Sequence, residues 1–241
     1  MAVKGVILDF GDTLVGYPLH TVSGQLEFIA KFAAEFFCRY PEIPQPKIPL
    51  EQFARELNVE LSSGQTVALI ERLSTERLLG SNLQLPQAEA FEREILNEVF
   101  KGARLLPDAK QFVQSARSAG YKLGIMSNLP WGSSATIWNE EFSRHGFGPD
   151  NIDAVVCCVD VGFRKPRPEG ILKIVKDWSF SPSEVAFIGD NQVADMKAAA
   201  GAGCHGIFLD RLDYGAPQDA VYSTAKNLAQ AFDLLSGRFA D

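Results

Sequence analysis

The chain opens with a short, mostly apolar run over residues 3–8. A polar stretch, Asp9-Phe10-Gly11-Asp12-Thr13, ends it. A block of that length, rich in β-branched residues, predicts a buried strand feeding a loop. The pattern then changes period. Over residues 25–40 the apolar positions are Leu26, Ile29, Ala30, Ala33, Phe36 and Phe37, which fall on one helical face. Residues 41–49 contain four prolines and predict a loop. Helical spacing returns over 50–57, 64–79 and 87–100, and runs of β-branched residues vanish from this region. From Pro107 onward strands and helices alternate. Helices are predicted over 108–119, 135–144, 169–178, 193–202 and 227–235, and strands over 122–126, 154–159, 185–188 and 206–209. Such alternation predicts an α/β fold: a Rossmann-like parallel sheet with helices on both faces. The all-helical stretch is then an inserted domain. Ligands of such sheets bind beyond the carboxyl ends of the strands.

Four polar clusters fall at predicted strand ends. The first is Asp9 to Thr13. A carboxylate just past a buried strand is costly unless it is paired or binds a metal, although Gly11-Asp12 also reads as an ordinary turn. The second is Ser127-Asn128, whose hydroxyl and amide can hold a phosphoryl oxygen. Ser-Asn pairs are equally common in plain loops. The third is Lys165, in a loop stiffened by Pro166 and Pro168. An ammonium held there suits charge neutralisation, and a solvated basic loop ahead of a helix is the plainer alternative. The fourth joins Gly189-Asp190-Asn191 to Asp195. Two carboxylates in a short loop suit Mg²⁺, while Asp195 alone is an ordinary partner for a helix dipole.

Composition narrows the possibilities. The 241 residues are 46% hydrophobic and carry a formal net charge of −7. That is enough apolar material for a sizeable core. The acidic balance disfavours general binding to nucleic acid, whose backbone it repels. The four cysteines, Cys38, Cys157, Cys158 and Cys204, form no Cys-x-x-Cys pair. They read as reduced thiols of a cytoplasmic protein, with Cys157 and Cys158 as small buried hydrophobes. No secretory signal is recognisable at the start. No apolar run reaches the roughly 18 residues that suggest a membrane span.

Taken together and in this order, the clusters resemble the motifs of the haloacid-dehalogenase superfamily: an Asp-x-Asp-x-Thr loop, a strand-end Ser or Thr, a Lys before Pro, and a Gly-Asp-x-x-x-x-Asp loop. Asp9 through Thr13, Ser127, Lys165, and Asp190 with Asp195 match them. The stretches 105–128 and 162–209 also read like the family. The resemblance implies an α/β core over residues 1–17 and 105–241 and a helical cap over 18–104. It implies a Mg²⁺-dependent phosphatase acting on a small phosphorylated metabolite, with Asp9 forming an aspartyl-phosphate. Mg²⁺ would be held by Asp9, the Gly11 carbonyl and Asp190, with Asp195 farther from the ion and completing the metal site. Thr13 would orient the loop. Ser127, Asn128 and Lys165 would bind the transferring group.

One departure stands out. Where the family's phosphatases carry an acid–base aspartate two residues after the nucleophile, this chain has Gly11. Asp12 follows, and adjacent residues at a strand end tend to face opposite ways. A dehalogenase, which needs no acid there and no Mg²⁺, is one alternative. A phosphonate hydrolase using Lys31, Lys47 or Lys101 is another, and a non-catalytic binding protein on the same fold is a third. The cap carries no readable specificity motif; Phe32, Phe36 and Phe37 are expected to pack its core.

Overall fold

The computed structural model describes residues 2–19, 21–59, 63–215 and 220–238. Residues 1, 20, 60–62, 216–219 and 239–241, which fall within the expected core and cap, lie outside that description. Strand β1, Gly5–Leu8, is buried at every position. A two-residue strand β2, Val15–Gly16, follows the first turn. Five helices come next: α1 Val22–Arg39, α2 Leu50–Leu57, α3 Leu69–Leu73, α4 Glu76–Leu79 and α5 Leu85–Lys101. Strand β3, Arg104–Leu105, then pairs antiparallel with β2, Val15 facing Leu105 and Gly16 facing Arg104. The helical segment thus leaves and re-enters through one narrow neck.

The alternating part runs α6 Ala109–Ser118, β4 Lys122–Ser127, α7 Ala135–Arg144, β5 Ala154–Cys157, α8 Cys158–Val161, α9 Glu169–Asp177 and β6 Val185–Gly189. It closes with α10 Ala194–Ala202, β7 His205–Leu209, β8 Ser223–Ala225 and α11 Leu228–Arg238. Among the described residues the sheet has six strands in the order β5-β4-β1-β6-β7-β8, and every pairing is parallel. Parallel strands buried on both faces need apolar side chains on both, and the chain supplies them. Val6, Leu8, Leu123, Ile125, Ala186 and Ile188 pack on one side, and their cluster is continuous with the aromatic centre of the helical segment. Ile7, Met126, Val156 and Phe187 pack on the other, against Ile171 and Ile174 of α9 and Met196 of α10.

Because all six strands run the same way, their carboxyl ends share one edge. Leu8 is level with Ile125 of β4 and Ile188 of β6. Asp9, Ser127 and Asp190 therefore leave the sheet side by side. In the helical segment Phe32, Phe36 and Phe37 are core residues, as expected. Their rings surround Phe91 of α5, with Phe36–Phe91 and Phe32–Phe91 centroids 4.9 and 5.2 Å apart.

The single helix expected over 64–79 is not formed. Gly64 is left-handed at φ 75°, and residues 64–66 run alongside the loop that carries Lys165. The Thr66 N–H donates to the Gly162 carbonyl (2.9 Å), and the Arg164 N–H donates to the Gly64 carbonyl (2.9 Å). Helix begins only at Leu69 and breaks at Ser74 and Thr75. The strand expected over 154–159 stops at Cys157, where the chain turns into α8.

Candidate active site

Asp9 is fixed by its own backbone, whose N–H donates to the Ile188 carbonyl at 2.9 Å and so continues the β1–β6 ladder. Its carboxylate faces Lys165. The ammonium sits 2.6 Å from Asp9 Oδ1 and 2.7 Å from Asp195 Oδ1, over the Phe187 ring. The Lys165 side chain is only 2% exposed. Asn128 clamps the lysine's backbone from both sides: the Lys165 N–H donates to Asn128 Oδ1 (2.8 Å), and Asn128 Nδ2 donates to the Lys165 carbonyl (3.0 Å). The Ser127-Asn128 strand end and the Lys165 loop, 37 residues apart, are therefore one structural unit.

The fourth cluster is built as tightly. Asp195 Oδ2 accepts the Asn191 N–H at 2.9 Å. Asn191 Oδ1 accepts the N–H groups of Val193 and Ala194 and so starts α10. Any Cβ at Gly189 would lie 2.2 Å from Asp195 Oδ2. Glycine there is a steric requirement for the buried carboxylate. Asp190 accepts a hydrogen bond from Thr13 Oγ1 at 3.2 Å, which ties the first cluster to the fourth.

One carboxylate oxygen from each of Asp9, Asp190 and Asp195 lies within 4.8 Å of the others. Burial raises all three carboxyls to about 6. Lys165 pulls Asp9 and Asp195 back down, while Asp190 pushes Asp9 up and Asp9 pushes Asp195 up. Asp190 is raised further by Asp195 and Asp12, with Lys165 only partly offsetting them. Burial works against the Lys165 ammonium, but Asp195 and Asp9 outweigh it and hold its pKa above the ordinary value. Three carboxylates face one ammonium, an excess of negative charge in a poorly solvated site. Bringing a cation there relieves repulsion and desolvation together.

Asp9, Gly11, Ser127, Asn128, Lys165, Asp190 and Asp195 all line one cleft of about 540 Å³. Thr13 is buried beneath it. Asp12 also lines the cleft, contrary to the opposite-faces expectation. The backbone is not extended past Phe10. It turns back so that the Leu14 N–H reaches the Phe10 carbonyl, and Asp12 adopts a left-handed φ of 54°. Gly11 has open space where a Cβ would be. Lys31, Lys47 and Lys101 are absent from the cleft lining.

Several lining residues carry no sequence signal of their own. Tyr17 leaves β2 and donates from its hydroxyl to buried Glu141 (3.4 Å). Trp131 and Trp138 form another wall. Arg211 is not in the cleft but braces it. Its guanidinium binds both carboxylate oxygens of Asp108 (2.9 and 3.1 Å) and the Thr13 carbonyl (3.2 Å). Only tertiary contact brings these residues to the site, so no local motif could announce them.

A family model for haloacid dehalogenase-like hydrolases matches residues 3–203. The chain belongs to this hydrolase family. Similarity to individual members is lower. Phosphoglycolate phosphatase of Escherichia coli K12 is 24% identical over 152 residues, covering 60% of this chain and 57% of that one. The chain thus spans less than two thirds of that relative's length. A HAD phosphatase structure from Thermococcus onnurineus superposes with a TM-score of 0.66 at 19% identity, covering 99% of this chain and 100% of the other. A 2-haloacid dehalogenase structure from Pseudomonas syringae pv. Tomato gives a TM-score of 0.69 at 18% identity, with 99% and 100% covered. The two fold matches are comparable, so the architecture of this hydrolase does not choose between the two chemistries. The site has to.

Proposed function

We propose that this hydrolase is a Mg²⁺-dependent phosphatase that acts on a small phosphorylated metabolite through an aspartyl-phosphate at Asp9. The observation that carries this reading is the Asp9–Asp190–Asp195 cluster, whose carboxylate oxygens lie within 4.8 Å of one another, with Lys165 bound to Asp9 and Asp195. A dehalogenase working on carbon without a metal has no need for three crowded carboxylates. The same residues fit a Mg²⁺ ion by chemistry, since that ion takes a few carboxylates and keeps several waters. Asp9, Asp190, Asp195 and the Gly11 carbonyl would hold it. When bound, Mg²⁺ would offset the repulsion between a carboxylate and a phosphoryl dianion.

The protein's own groups then act as follows. Lys165 keeps Asp9 ionised and aimed into the cleft through its 2.6 Å contact. An Asp9 oxygen attacks phosphorus, and the bond from phosphorus to the leaving oxygen breaks with its electron pair on that oxygen. Water then attacks the phosphorus of the aspartyl-phosphate; the bond from phosphorus to Asp9 breaks with its electron pair on the carboxylate, and the water's protons leave with the inorganic phosphate. Ser127 and Lys165 bind the transferring oxygens, and Asn128 positions Lys165 as well as facing the substrate. Thr13 orients the nucleophile loop through Asp190. Gly11 offers no proton, so the leaving group departs with little help. That favours activated phosphates, such as acyl phosphates, over simple alkyl esters.

In this reading residues 18–104 are a cap and residues 1–17 and 105–241 the core. The neck between β2 and β3 supports that division. The similarity to a phosphoglycolate phosphatase is consistent with small phosphorylated substrates. The test is phosphate release from acetyl phosphate and 4-nitrophenyl phosphate with Mg²⁺, next to chloride release from a haloacid. Chloride release without phosphate release would replace this reading by the dehalogenase one.

A further inference from the structure

A second cleft, of about 900 Å³, lies beside the catalytic one. The two share Gln25, Asn128, Pro130, Trp131 and Arg164 as wall. Trp131 is the bulkiest of these, and it is held in an unusual way. Its backbone is left-handed (φ 58°), a conformation that a bulky side chain rarely adopts. Such outliers persist where surrounding contacts impose them, and they cluster at functional sites.

The contacts that impose this one come from the helical segment. The indole Nε1–H donates to Asn58 Oδ1 at 3.0 Å. The ring stacks on Phe28 of α1, with centroids 6.4 Å apart and planes 16° from parallel. Arg72 donates to the Trp131 carbonyl (3.4 Å) and also to the Leu57 carbonyl (3.0 Å). The next residue, Gly132, leaves only 2.1 Å between an added Cβ and the Val67 carbonyl. The loop after β4 is therefore pinned to the helical segment, with Trp131 on the wall common to the two clefts.

We propose that Trp131 is a specificity-determining residue that limits the size of the group attached to the phosphoryl. Small leaving groups fit the catalytic cleft, while larger ones meet the indole and cannot extend into the neighbouring cleft. The proposal rests on the phosphatase reading above and deepens it.

The experiment compares two aryl phosphates with similarly good leaving groups and different bulk: 4-nitrophenyl phosphate, with one ring, and 4-methylumbelliferyl phosphate, with two fused rings. The wild-type protein is expected to favour the smaller ester in kcat/KM. Trp131→Gly takes the indole out of the shared wall and suits a left-handed backbone. Trp131→Asn does the same with a second residue that tolerates that region. Both are expected to raise the ratio of larger to smaller ester by about 10-fold, the scale that pocket shape commands. Trp131→Phe keeps a ring at the wall without the Asn58 bond and is expected to hold the wild-type ratio.

Equal wild-type kcat/KM for the two esters overturns the proposal, whether or not the variants fold. So does a ratio that stays at the wild-type value in the Gly and Asn variants, as when both activities fall together. Wild-type protein that hydrolyses neither ester with Mg²⁺ overturns the phosphatase reading instead, and the size limit with it.

Discussion

At the residue scale the site turns on a few atoms. Asp9→Asn keeps the shape of the side chain but replaces the proposed nucleophile with a poor one. It is expected to lower phosphate release by about 1,000-fold or more with an unchanged circular-dichroism spectrum. Full turnover in that variant would end the aspartyl-phosphate mechanism. Gly11 sets the second expectation. Open space at its Cβ position means that the first side-chain atom of Gly11→Asp meets no neighbour. A carboxyl there is expected to raise hydrolysis of alkyl phosphates by about 10-fold or more and to flatten the dependence of rate on leaving-group acidity. Asp12 is the control, since it lines the same cleft. If Asp12→Asn cripples the native protein as severely as Asp9→Asn, proton transfer runs through Asp12 and Gly11 is not the limiting gap. Steady-state rates over a series of phosphates with graded leaving groups decide between the two.

At the element scale, two joints hold the site in register. The turn after β4 meets the helical segment at Gly132, whose left-handed φ of 74° and 2.1 Å approach to Val67 leave no room for a side chain. Gly132→Ala adds both backbone strain and overpacking and is expected to cost about 2 kcal/mol or more in a denaturant titration. The second joint is Asp108, at the start of α6. Burial pushes its carboxyl up, but the Arg211 guanidinium and the Leu228 N–H outweigh burial and hold it below the usual carboxylate range. A carboxyl whose pKa is depressed by folding stabilises the protein above its unfolded value of about 3.9, and that stability is lost as pH falls through the folded value. Asp108→Asn is therefore expected to lower Tm at neutral pH. The gap from wild type should close in acid, below both values. A gap of the same size at every pH would mean that the charge on Asp108 is not what matters. The elements differ in how openly the chain announces them. β1, β4, β6 and β7 are dense apolar blocks, and hydrophobic burial alone selects them. β8 is three residues, Ser223–Ala225, on the sheet edge. It has no such block and pairs only because β7 offers an open ladder. β2 and β3 are two residues each and exist only through each other, across the whole helical segment.

At the scale of the whole molecule, the crowded carboxylates connect fold and chemistry. EDTA is expected to remove phosphatase activity and Mg²⁺ to restore it. A rate indifferent to EDTA would return the dehalogenase reading to the front. Among the described residues no helix is long and apolar enough to cross a membrane. The sequence by itself determined the α/β alternation, the helical interruption after the first motif, and the four polar clusters at strand ends. Each of these is local: periodicity sets which faces are buried, and a polar residue after a buried strand marks the sheet edge. Only the tertiary structure decided what joins across distance. It set the Asn128 clamp on Lys165, the Arg211 brace on Thr13, the non-helical stretch at Gly64–Thr66 in place of a helix, and the place of Asp12 on the cleft wall. These depend on contacts between segments far apart in the chain and on backbone turns whose direction no hydrophobic period encodes. The position of Trp131 is set only once the helical segment packs against the strand ends, because the contacts that hold it there come from another part of the chain.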